Sequence, residues 1–138
     1  MRHSAQWIPL ILAVLLGLAG CDRTTRIDPA ILEDPTIGLR IGGQVRFAYD
    51  PATCQLGFNR KLNQFRVGND NGTEYFTLTC DKLPSEVGQS VKADLILIRN
   101  NGISRETGLS FTVEQIQGDK IWLWHAAKKI AVCVQIIR

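Results

Sequence analysis

The sequence predicts an all-β domain: a small antiparallel β-barrel of about seven to eight strands, with a β-sandwich as the alternative. Three observations predict it. From Leu39 onward the apolar residues recur every second position, the period of a strand and not of a helix. Short runs with that period are separated by clusters of Gly, Asn, Asp and Pro. No stretch of the domain carries a convincing amphipathic helical pattern.

The elements follow in order. Leu39, Ile41, Gly43, Val45, Phe47 and Tyr49 alternate with polar or small residues, giving one half-buried strand with a bend or bulge at Gly42-Gly43. Asp50-Pro51 ends it. Thr53–Phe58 is the second strand, with Cys54, Leu56 and Phe58 on one face, and Leu62–Val67 is the third. The run Gly68-Asn69-Asp70-Asn71-Gly72 is the strongest hairpin turn, because Asn and Gly accept positive φ cheaply. Thr73–Cys80 returns as the fourth strand. Val91–Arg99 is the fifth and central one, since Leu95-Ile96-Leu97-Ile98 is apolar on both faces. Leu109–Ile116, Ile121–His125 and Ile130–Ile137 complete the set. Consecutive hairpins make an up-and-down meander, which favours the barrel.

The chain has 138 residues, 45% hydrophobic and 21% charged, which sets one folded domain and excludes a large multidomain enzyme. A net charge of +3 is too small for a nucleic-acid binder. The first residues stand apart. Met1-Arg2-His3-Ser4 precedes a run from Trp7 to Gly20 with no charge, about 14 residues where a spanning helix needs about 20. A basic start followed by an apolar stretch is the layout of a secretory signal.

Leu18-Ala19-Gly20-Cys21 then resembles the lipobox of bacterial lipoproteins. The resemblance covers residues 1–21. It implies that Cys21 receives a diacylglyceryl group, that the signal is cut just before it, and that the new amine is acylated. Two or three acyl chains satisfy the requirement that stable anchoring takes more than one. Cleavage removes Arg2 as the single charged residue, so Lys+Arg falls from 16 to 15 against 13 acids, and the net charge becomes +2. The expected organisation is a signal peptide at 1–20, a lipidated N-terminus and tether at 21–36, and the β domain at 37–138. Pro29 and Pro35 bias the tether toward extended conformations. Docking of Ile31-Leu32 on the domain, or a helical turn over Pro29–Asp34, are its alternatives. The resemblance implies the bacterial cell envelope; Asp22 after the cysteine implies inner-membrane retention in some lineages, while the acidic cluster that directs surface export in others is interrupted here by Arg23 and Arg26, so the domain is expected to face the periplasm.

Three cysteines remain after Cys21. In an oxidising compartment a disulfide between Cys54 and Cys80 is expected, although a flat meander puts the two at opposite ends. Cys133 reads as a small buried filler.

Catalytic signatures are sparse. His125 is the single histidine of the mature chain and has no flanking motif. Cys54, Cys80, Cys133 and His125 lack the paired spacing of a zinc site. Asp70 and Glu74 lack the alternation of a calcium loop. Neither a phosphate loop nor a nucleophile elbow occurs. No catalytic residue, metal or cofactor is therefore expected. Trp122 and Trp124 share one face of a strand. On an open face they form a stacking platform for a sugar or an anchoring patch for a partner; on an inner face they are core.

The expected function is a membrane-anchored envelope lipoprotein with a non-catalytic binding or scaffolding domain. Its partners are the bilayer, through acylated Cys21, and another envelope protein or a glycan. A carrier of a glycan or small apolar ligand at the barrel mouth is the alternative, and a small hydrolase a distant third.

Overall fold

The structure is a computed structural model, and it describes residues 26–138. The lipobox and Cys21 lie outside the described residues. Nine antiparallel strands form one sheet: β1 (Ile37–Ile41), β2 (Gln44–Tyr49), β3 (Gln55–Asn59), β4 (Gln64–Gly68), β5 (Tyr75–Cys80), β6 (Ser90–Arg99), β7 (Gly102–Gln117), β8 (Lys120–His125) and β9 (Ile130–Gln135). Their spatial order is β2-β1-β9-β8-β7-β6-β5-β4-β3. The sheet curls into a half-barrel. Strands β3 to β9 run as an unbroken meander, and the β1–β2 hairpin folds back to extend it beyond β9.

The strand count exceeds the expected seven to eight because the run from Leu39 to Tyr49 is a hairpin and not one strand. Gly42 and Gly43 take φ of 60° and 83°. Positive φ at both central residues is what a two-residue hairpin turn of the favoured twist requires. Ile41 then pairs with Gln44, which moves the inward face from odd to even residues. A bulge between Leu39 and Arg40, opposite Val45 and Phe47, moves it back. Phe47 is therefore buried while Val45 is exposed. Turn and bulge cancel, so the sequence keeps an unbroken odd-numbered period across two strands.

Alternation places one residue of each pair inside. Leu39, Val132 and Leu123 line up across β1, β9 and β8, and Val67, Phe76 and Leu97 across β4, β5 and β6. The curl brings these two groups together: Phe47 meets Phe76 with ring centroids 5.4 Å apart. The inner face is filled by side chains such as Phe65, Phe111, Leu95 and Ile121, all at most 1% exposed. The β6–β7 hairpin is longer than expected, because β7 begins at Gly102 and not at Leu109. The start of β7, from Gly102 to Glu106, pairs with β6 alone, beyond the end of β8, and forms the outer side of an arm. Thus only Leu95 of the Leu95–Ile98 stretch is fully buried.

The segment expected to be a tether is packed on the domain. Arg26–Thr36 runs down the outer surface of β8 and β9 and carries one helical turn, α1 (Pro29–Glu33). Asp28 caps the turn by accepting from the Ala30 N–H at 3.0 Å, and Pro29 occupies the first helical position, where no N–H is needed. Ile27, Ile31 and Leu32 face the sheet. A fully buried Ile contributes about 1.5–3 kcal/mol, the half-buried Ile31 and Leu32 less. That burial outweighs the extended bias of the two prolines.

Candidate functional site

Trp122 and Trp124 share the face of β8 opposite Leu123; Trp122 belongs to the main hydrophobic core cluster and Trp124 to a small separate one. They are only 2% and 8% exposed, and the strap packs against both clusters: Leu32 on the main core, and Ile27, Ile31 and Leu32 on that of Trp124. Trp124 packs with Ile27 and Ala131. Trp122 pairs across the sheet with Cys133 and carries the Lys120 ammonium 5.0 Å from its ring. Polar contacts fix the strap on both sides. The Gln115 side chain donates to the Leu32 carbonyl at 3.4 Å, and Lys120 donates to the Pro35 carbonyl at 2.8 Å. Arg40 pairs with Asp34. The Thr36 N–H and hydroxyl, donated to the Asp34 carboxylate at 2.8 and 2.7 Å, help Arg40 hold that acid below its usual range against the opposing effect of burial. The outward tryptophan pair is therefore the floor of an intramolecular contact and not an open stacking platform.

The expected Cys54–Cys80 disulfide is absent: both thiols are free. Strands β3, β4 and β5 are consecutive neighbours, with Gln55 level with Gly68 and Tyr75. Cys54 precedes Gln55 and Cys80 ends β5, so they lie roughly 20 Å apart on standard β spacings, where a bridge needs Cα atoms within about 7 Å. Cys54 is half-buried ahead of β3, and burial raises its thiol pKa. Cys80 and Cys133 are buried, and desolvation pushes both up to about 12. Such thiols are packing groups and poor nucleophiles. Cys133 sits opposite Gly38, which is there for a steric reason. A Cβ on Gly38 would lie 1.9 Å from the Phe47 carbonyl oxygen.

His125 uses Nδ1 to bond the Ser110 carbonyl at 2.7 Å and packs its ring on Phe111. It ties the end of β8 to β7. The Asn69–Glu74 loop closes on itself through Asn69, whose N–H donates to the Glu74 carbonyl at 3.0 Å and whose side chain donates to the Thr73 hydroxyl at 2.9 Å. That is a hairpin turn, as its residues predict. Among the described residues no group of three or more His, Cys, Asp or Glu is placed to hold a metal ion.

The barrel mouth holds what the sequence did not reveal. Between the end of β1–β2 and the β6–β7 arm lies an open cleft of about 470 Å³, walled by Ile41, Leu97 and Ile103 and by Arg46, Arg99 and Glu106. The Arg99 guanidinium lies 4.6 Å over the Phe47 ring and donates to the Arg46 carbonyl on the open edge of β2. Its Nε is buried without a hydrogen-bond partner. Ile103 is 62% exposed. Across the adjoining turns, a second hollow of about 390 Å³ is bordered by Arg26, Asp28, Gly43, Trp124 and Lys129. No family model matches this chain, and no curated protein or solved structure matches it either.

Proposed function

We propose that the chain is a membrane-anchored envelope lipoprotein, held by acyl chains on Cys21, whose all-β domain binds or scaffolds another envelope component without catalysis. The observation that carries this reading is the resemblance of Leu18-Ala19-Gly20-Cys21 to a lipobox directly ahead of the docked strap. A β domain with its inner face filled by side chains suits a rigid binding module. The use of His125 in a strand-to-strand bond and the burial of two of the thiols support a non-catalytic role.

Docking of the strap limits the reach of the anchor. Five residues on from Cys21, Arg26 already borders the sheet, so the link spans at most ~18 Å. The domain is thereby held beside the lipid surface and not clear of it. Cell fractionation tests the reading. The native chain is expected in the membrane fraction, and Cys21→Ala is expected to leave the signal uncut and the chain without acyl groups. Equal acylation-dependent mobility of the two forms would remove the proposal.

A further inference from the structure

We infer that the end of the domain carrying the Gly42-Gly43 and Ala126–Lys129 turns is a docking surface for an anionic lipid bilayer. The inference rests on the anchor reading for its geometry and on this surface for its chemistry. The chain enters the described fold at Arg26, and Arg26 shares a hollow with Gly43 and Lys129. The anchor therefore emerges at this end. The Gly42 N–H donates to the Lys129 carbonyl at 3.0 Å, which locks the two turns into one platform.

The charges there favour phosphate-bearing head groups. Arg26, Lys128 and Lys129 border the platform, and Arg46 and Arg99 face the cleft beside it. The acids facing them are Asp28, Glu106 and Glu114. Asp28 is engaged in capping α1, Glu106 pairs with Lys128 at 2.7 Å, and Glu114 lies within the field of Arg26. Lys129, Arg46 and Arg99 make no ion pair with an acid among the described residues. The cleft joins this positive rim to apolar walls, Ile41, Leu97 and Ile103. Cations around an apolar hollow match a phosphate head above an acyl chain. The Asn59–Asn63 turn lies at the other end of the domain, where Arg60 and Asn63 border a hollow with Ile136 and Arg138. Lys61 in that turn is an internal reference.

The test uses the full chain reconstituted into vesicles of phosphatidylcholine alone or mixed with phosphatidylglycerol. A water-soluble amine reagent labels exposed lysines, read by peptide mass spectrometry. On anionic vesicles Lys129 is expected to be labelled at least about fivefold less than Lys61, with the difference lost on neutral vesicles and at high salt. Arg46→Glu with Lys129→Gln is expected to restore labelling of the neighbouring Lys128, with tryptophan emission confirming the fold. Equal labelling of Lys129 and Lys61 on both vesicles overturns the docking surface, even if Cys21 is acylated. Protection of Lys129 in a chain whose Cys21 is unmodified keeps the docking surface and defeats the anchor reading.

Discussion

Trp124 of β8 and Ile27 of the N-terminal strap bury one another on the outside of the sheet, at 8% and 7% exposure. Two residues almost a hundred positions apart thus seal a contact that the barrel interior does not share. Ile27→Asp places a charge in it. The variant is expected to lose about 2–4 kcal/mol and to shift tryptophan emission to the red. Unchanged emission would mean that the strap does not cover Trp124.

Asp34 anchors the lower part of the strap. Its folded pKa lies below its ordinary value of 3.8, through the Thr36 N–H and hydroxyl and Arg40. A depressed acid contributes stability that is present above the unfolded pKa and is lost as pH falls through the folded one. The strap is therefore expected to loosen below about pH 4 in the native chain, with the tryptophan red shift as the readout. Asp34→Asn, which removes that linkage, is expected to cost about 1 kcal/mol at neutral pH and to flatten the acid transition.

The thiols give a third expectation. Cys54 is half-buried, whereas Cys80 and Cys133 are buried and pushed up to about 12. Alkylation of the folded protein is expected at Cys54 first, with Cys80 and Cys133 modified only after denaturation. Reductant is expected to leave the melting temperature unchanged. A Cys54–Cys80 bridged peptide in a digest would contradict the β3-β4-β5 register.

Gly38 supplies a steric test. Its missing Cβ leaves room for the Phe47 carbonyl. Gly38→Ala is expected to destabilise the domain by about 3 kcal/mol or more in denaturant titration, since backbone must move to admit the methyl group. Gly57→Ala is the control, because its nearest contact to an added Cβ is an ordinary 3.6 Å.

Much of the fold was legible because alternation and turn chemistry are local. Phe76, Leu78 and Cys80 declare an inward face, and Gly68–Gly72 declares a turn. The β1–β2 hairpin was illegible for a definite reason: the Gly42-Gly43 turn and the bulge at Arg40 each reverse the face, and together they leave no trace in the period. The strap was hidden differently. Two prolines and six charges over residues 22–36 describe a linker locally, while the partner of Ile27, Ile31 and Leu32 is the far side of β8. The tryptophan pair was correctly placed on one face, but alternation alone does not say that a segment near the other end of the chain covers it. The cleft was the least legible of all. Arg46 and Arg99 meet only because the sheet curls, and no spacing in the sequence encodes that meeting.

The proposed anchor joins the docked strap through Cys21. Intact mass spectrometry of the N-terminal peptide from the membrane-extracted protein tests it most directly. The expected result is a peptide that begins at Cys21 and carries a diacylglyceryl group with an acylated amine. A peptide that retains residues before Cys21, or begins at it unmodified, would contradict a lipid anchor at Cys21.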